Sequence, residues 1–177
     1  MKAFVRFTPI LPEYLWDVSG VPLAVYRQQF VQGQIVRRMY RRTVRTWRDK
    51  PHFTIKVRKK RMRYGRGYEL TINYDRRTRG GKHYYWTDWG TPRHPITARR
   101  VPRLKFRTRF RPKTRVRVIG SSRGSTGGSW VAPKAVMHPG TTARMFTAEI
   151  FERRRVPLQN AMVNAINRAT KRKKYRG

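Results

Sequence analysis

Phe53-Thr54-Ile55-Lys56-Val57-Arg58 and Tyr68-Glu69-Leu70-Thr71-Ile72-Asn73-Tyr74 are the stretches on which the reading of this chain turns. In the first, Phe53, Ile55 and Val57 alternate with Thr54, Lys56 and Arg58. In the second, Tyr68, Leu70, Ile72 and Tyr74 alternate with Glu69, Thr71 and Asn73. A period of two puts the apolar set on one side of an extended chain, so both runs are predicted as half-buried strands. The basic, glycine-containing segment from Lys59 to Gly67 is expected to be a long hairpin connection. Upstream, from Pro22 to about Arg48, the period lengthens: Tyr26, Phe30, Val36, Tyr40, Val44 and Trp47 fall mostly at helical spacing. Pro22 is acceptable in a first turn, and Gly33 weakens the helix without ending it. Further upstream, Ala3, Val5 and Phe7 suggest a short edge strand stopped by Pro9 and Pro12.

Downstream, Asp75 to Lys82, with the Gly80-Gly81 pair, reads as a turn, and aromatic-rich Tyr84 to Trp89 as a further strand. Leu104, Phe106, Thr108 and Phe110 alternate with Lys105, Arg107 and Arg109, and Val116 and Val118 with Arg115 and Arg117. The two runs are expected to pair across a turn at Pro112, with Phe110 opposite Val116 and Arg109 opposite Arg117. Like charges directly across strands are unfavourable, so such a face would meet an anionic surface or stay solvated. Ser121 to Ser129 is a Gly/Ser loop expected to be mobile. Trp130 to Met137 resumes as a strand. From Thr142 a helical pattern places Phe146, Ile150, Leu158, Met162 and Ile166 on one side, with a kink or a second helix expected at Pro157. Residues 1–170 then make one domain, and Lys171 to Gly177 a flexible basic tail.

Charge is the abnormal quantity. The 177 residues carry 44 Lys plus Arg against 8 Asp plus Glu, a formal net charge of +36. A globule with that charge repels itself, so DNA, RNA or an acidic protein surface is the expected counterpart. With 38% hydrophobic residues there is enough apolar material for a core, which argues against an extended basic tail. The basic clusters are Arg37, Arg38, Arg41, Arg42 and Arg45 on the helix, Arg58 to Arg63 after the first strand, and Arg99 to Arg117. No base-reading motif accompanies them, so nucleic-acid contact is expected to be sequence-independent. The start of the chain lacks a long apolar segment and reads as neither signal peptide nor membrane span, which places the protein in the cytoplasm or in something assembled there.

The residues that could carry chemistry are sparse. There is no cysteine, hence no disulfide or thiolate site. The acids Glu13, Asp17, Asp49, Glu69, Asp75, Asp88, Glu149 and Glu152 are scattered, and Glu149 and Glu152 sit beside Arg153 to Arg155, where ion pairing is the expected role. His52, His83, His94 and His138 lack the close spacing of zinc ligands. His94 and His138, each followed by proline, could meet in space, in a structural role. No phosphate-cradling G-x-x-x-x-G-K-[ST] loop is present. The sequence therefore predicts a protein that is not an enzyme and needs no cofactor or metal.

Two segments resemble a known family. Tyr85-Trp86-Thr87-Asp88-Trp89-Gly90-Thr91-Pro92-Arg93-His94-Pro95-Ile96, and Val136-Met137-His138-Pro139-Gly140-Thr141-Thr142-Ala143-Arg144-Met145-Phe146, are similar to the paired signatures of the tail-completion, or head-to-tail joining (neck), proteins of long-tailed bacteriophages. In that family an aromatic strand ends in Gly-Thr, a Pro-His-x-Ile segment follows, and a His-Pro-Gly-Thr turn launches a C-terminal helix with a buried phenylalanine. Here Trp89, Gly90, Thr91, Pro92, His94 and Ile96, then His138, Pro139, Gly140, Thr141 and Phe146, supply the counterparts. Pro92 precedes His94 by two positions instead of one, and the Thr-Gly-x-Leu segment often found after the first helix is missing. Gly90 and Gly140 would permit tight turns, Pro92 and Pro139 stiffen them, and Thr141 or Thr142 could cap the helix that follows.

The resemblance implies an α+β fold with a mostly antiparallel sheet packed against a long N-terminal helix. It also implies a structural virion protein at the head-tail interface, with subunits in a ring around the DNA channel. Its partners would be copies of itself, neighbouring neck, tail-terminator or tail-tube proteins, and double-stranded DNA, without a membrane. Assembly would take place in the host cytoplasm. Arg37, Arg38, Arg41, Arg42, Arg45, Arg107, Arg109, Arg115 and Arg117 are the expected contacts to DNA or acidic partners. The alternative is an RNA-scaffolding protein of ribosomal type, for which the Gly-Thr and His-Pro-Gly-Thr pair has no rationale.

Overall fold

In the computed structural model the described residues are 3–7, 10–11, 13–18, 20–62, 65–120 and 124–174. In chain order they form β1 (Ala3–Phe7), β2 (Ile10–Leu11), α1 (Glu13–Trp16), α2 (Val21–Thr43), β3 (Phe53–Met62), β4 (Gly65–Tyr74), α3 (Arg79–Trp89), β5 (His94–Thr97), β6 (Phe106–Arg107), β7 (Phe110–Arg111), β8 (Ser125–Thr126), β9 (Trp130–Val131), β10 (Ala135–His138) and α4 (Phe146–Lys174). The fold is α+β: a four-stranded antiparallel sheet, three two-stranded ribbons and two long helices.

β4 is the centre of the main sheet, with β3 along one side and β1 and β2 along the other. The β3–β4 register sets Phe53 against Tyr74, Ile55 against Ile72 and Val57 against Leu70, so the apolar set of both strands lies on one face. β1 is the edge strand its alternation suggested, and pairs with Leu70 to Tyr74. The Lys59 to Gly67 connection, however, is strand almost throughout, with Lys60 opposite Gly67 and Arg61 opposite Arg66. Pairing runs through backbone hydrogen bonds, so it continues beyond the alternating apolar set even where it places Arg61 directly opposite Arg66.

Helix α2 lies on the apolar face of β3 and β4 and also packs against α4. Val21, Val25, Val36 and Tyr40 are buried within it, together with Gln29, whose Nε2 donates to the Tyr68 carbonyl at 2.7 Å. Gly33 faces the sheet, where a Cβ would stand 2.8 Å from Leu70 Cδ1; the residue that weakens the helix locally lets it approach closely. Tyr26 and Phe30, which the helical spacing assigns to the core, are instead exposed beside Leu23. The expected helix also ends early, at Thr43, and Val44 to Thr46 form a turn.

α4 runs antiparallel to α2. Arg154 near its middle donates to Gln32 Oε1, and Thr147 at its start meets the Tyr40 hydroxyl at 3.4 Å. It is one helix from Phe146 to Lys174, so no second helix begins at Pro157. Pro157 is exposed, and water can solvate the Arg153 carbonyl that its missing amide leaves without a donor. Residues 171–174, assigned to a flexible tail, continue this helix, while 175–177 lie outside the described residues. Glu149 accepts from Arg153 Nε at 2.6 Å, the ion pair expected there.

Tyr84 to Trp89, expected as a strand, belongs to α3. Thr78 caps that helix by accepting the Gly81 amide through its hydroxyl at 3.1 Å. The helical turn sends Tyr84 inward, where its ring meets those of Tyr40, Phe53, Tyr74 and Phe146 at centroid distances of 5.0 to 6.0 Å. Burial raises the Tyr84 and Tyr74 phenols well above their ordinary range, so both hydroxyls stay protonated in this aromatic centre.

Candidate polyanion-facing surface and the paired Gly-Thr turns

The two segments singled out in the sequence fold onto each other. Thr91 and Thr141 exchange backbone hydrogen bonds, Thr91 N–H donating to the Thr141 carbonyl at 2.9 Å and Thr141 N–H to the Thr91 carbonyl at 3.1 Å. Beyond this crossing, β5 and β10 pair antiparallel, His94 opposite His138 and Ile96 opposite Val136. Gly90 and Gly140 sit at φ +79° and +92°; a Cβ on Gly90 would stand 2.6 Å from the Thr141 carbonyl oxygen, and one on Gly140 2.4 Å from that of Thr91. Both glycines are required by backbone conformation and by close approach.

His94 and His138 do meet, with ring centroids 4.9 Å apart and planes inclined by 29°. His94 Nδ1 lies 2.9 Å from the Pro92 carbonyl, which can only accept, so this nitrogen carries the proton. His138 Nδ1 accepts the Gly140 amide at 3.0 Å, which puts its proton on Nε2. Stacked rings with opposite tautomers staple the ribbon. Among the described residues no three His, Cys, Asp or Glu side chains gather closely enough to hold a metal ion.

The start of α4 is held by a residue not assigned to it from the sequence. The helix begins at Phe146, too far along the chain for Thr141 or Thr142 to cap it. Asp88, in the last turn of α3, takes that role: its Oδ1 accepts the Thr147 amide at 3.1 Å and its carbonyl accepts the Met145 amide at 3.0 Å. Desolvation holds its carboxyl above the usual carboxylate range, opposed by the hydrogen bonds from Thr147 and Phe146. Phe146 is fully buried against Tyr84, whereas Trp89 is 64% exposed.

The candidate arginines lie on two parts of the fold, α2 with the turn after it and the stretch from Arg107 to Arg117. On α2, Arg38, Arg41 and Arg42 are exposed at i, i+3, i+4 spacing; Arg45 follows in the next turn, and Arg37 is half-buried at the margin. Among the described residues none of these five takes part in an ion pair. The second set is arranged otherwise than expected. Phe106–Arg111 does not pair with Val116 and Val118; β6 pairs with β9 and β7 with β8, so that Arg111 faces Ser125 and Phe110 faces Thr126. The expected opposition of Arg109 to Arg117 is absent, since both occupy left-handed turns at φ 55° and 54°.

The Gly/Ser segment gives β7 a small neutral partner, while β6 sets Arg107 opposite Trp130, so neither strand faces a like charge. That segment was expected to be a mobile loop, yet Ser125–Thr126 is strand β8; residues 121–123 lie outside the described residues. On this arm Phe110 is 63% and Trp130 66% exposed, and the Arg107 guanidinium stands 5.1 Å above the Trp130 ring. Aromatic faces between arginines are a surface on which a polyanion could stack and pair.

Comparison with protein-family models, curated proteins and solved structures found no match. No described helix is long and apolar enough to cross a membrane.

Proposed function

We propose that this chain is a structural virion protein of a tailed bacteriophage, acting in tail completion or head-to-tail joining as a subunit of a ring around the DNA channel. The observation that carries the reading is the crossing of Thr91 with Thr141 and the stacking of His94 on His138. Two segments more than forty residues apart in sequence, chosen for their likeness to the paired signatures of one family, form a single ribbon. Their residues act as architecture: glycines that permit the crossing, histidines that staple it, and a helix start anchored by Asp88. RNA scaffolding would explain the charge but gives no reason for this ribbon.

In such a ring each subunit would bring the α2 stripe, Arg38, Arg41, Arg42 and Arg45, and the arm, Arg107, Arg109, Arg115 and Arg117, to DNA or to acidic neighbouring rings. A role in assembly needs no turnover, and the protein is proposed to have no catalytic activity. Negative-stain imaging of the purified protein with and without short duplex DNA tests the proposal. Closed rings with a central opening are expected; particles that stay monomeric and ignore DNA at low salt would oppose it.

A further inference from the structure

Arg144 lines two concavities beneath the arm. Its Nε is buried and has no hydrogen-bond acceptor among the described residues. One concavity is bounded by Arg48, Lys113 and His83, and also by Asp49, whose carboxylate is already paired with Arg79 at 3.0 Å. The other, of about 580 Å³, is lined by Arg111, Arg115 and Arg144 together with Thr114 and Ser125 and, among the described residues, by no acidic one.

Those arginines come from β7 and the chain that follows it, and from the approach to α4. Arg111 comes from β7, Arg115 from the turn after it, and Arg144 from the stretch leading into α4. The Arg117 amide, donating to the Arg144 carbonyl at 2.8 Å, ties the last two segments together. The floor is kept open by Gly124, where a Cβ would stand 2.9 Å from the Arg111 carbonyl oxygen and 2.8 Å from Lys113 Cγ.

We propose that Arg111, Arg115 and Arg144 form a phosphate-binding site. A tetrahedral dianion offers acceptors in several directions and suits three guanidinium forks better than a single planar carboxylate does. The concavity exceeds what a lone ion needs, which leaves room for a phosphate carried on a larger molecule. Filling it would fasten the arm to the start of α4. The inference is independent of the virion reading, since a phosphate site could serve a basic protein in any setting.

Titration calorimetry of the full chain with inorganic phosphate, at constant ionic strength in sodium chloride, tests it. Binding should weaken by about tenfold or more in Arg115→Gln and Arg144→Gln, the loss of one charge-assisted hydrogen bond. Arg48→Gln, on the other concavity, should bind as the parent does. Arg115 is exposed, so its variant remains informative if Arg144→Gln fails to fold. A short DNA duplex that displaces phosphate, and whose own affinity falls in Arg115→Gln, identifies the source as backbone phosphate; a duplex that does neither identifies it as free phosphate. The proposal is overturned if phosphate binds no better than chloride, if Arg48→Gln abolishes binding while Arg115→Gln retains it, or if hexaglutamate takes the site and phosphate does not.

Discussion

Replacing Gly140 by alanine should separate the two signature segments. At φ +92° an alanine pays for a left-handed backbone, about 1 kcal/mol. Its Cβ would also stand 2.4 Å from the Thr91 carbonyl oxygen, so the crossing must open. Opening it removes the two reciprocal Thr91–Thr141 hydrogen bonds, each contributing about 1 kcal/mol. The expected loss is roughly 3 kcal/mol, or about 6–12 °C in Tm for a chain of this size. Gly20 provides the control: its φ is +86°, yet nothing lies within 4 Å of its would-be Cβ, so Gly20→Ala should cost only the backbone share, about 1 kcal/mol. Urea unfolding followed by tryptophan fluorescence measures both, with equal m values expected. If Gly140→Ala were no more destabilising than Gly20→Ala, the crossing would not be the structural joint described here.

Phe146→Ala, which empties a fully buried site against Tyr84, should cost about 3–5 kcal/mol in the same unfolding assay. Asp88→Ala should cost about 1 kcal/mol by removing the acceptor for Thr147, while Asp88→Asn keeps an acceptor and should match or exceed the parent at neutral pH. The sign follows from desolvation: the folded-state pKa of Asp88 is raised, so its ionisation opposes folding. The parent should therefore gain on Asp88→Asn as pH falls through that pKa, and paired denaturation curves across acidic pH show whether it does. Changing Arg38, Arg41 and Arg42 together to Gln should lower the salt dependence of duplex binding by roughly one unit of slope per arginine, with no sequence preference gained or lost. Fluorescence anisotropy over a salt series checks this.

The parts of the fold that could be read from the sequence are those where apolar spacing and backbone periodicity coincide. Phe53, Ile55 and Val57 with Leu70, Ile72 and Tyr74 gave both strands of the main hairpin, and Val36 and Tyr40 gave the buried side of α2. Beyond Val57 the strand continues through lysines and arginines that carry no alternation, so its length was hidden. Tyr84 to Trp89 misled because aromatic residues favour strands on average. Thr78, a sound N-cap, and Gly81, where a Cβ would fall 1.8 Å from the Asp75 carbonyl oxygen, were the local signs of a tightly seated helix start.

The candidate site divides in the same way. The meeting of His94 with His138 was legible from two matching His-Pro dipeptides. The arm was not, because the partners of β6 and β7 are short Ser, Thr and Trp-Val segments whose pairing leaves no periodic mark. Arg144 went unnoticed for a similar reason: its distinction lies in its place between two concavities, and its neighbours in sequence do not encode that.

Electron microscopy of lysates from a phage lacking the gene for this chain tests the proposed role in joining or completing tails. Full heads beside unattached tails are expected, restored to joined particles when the gene is supplied in trans. Normal, infectious particles assembled without the chain would contradict it.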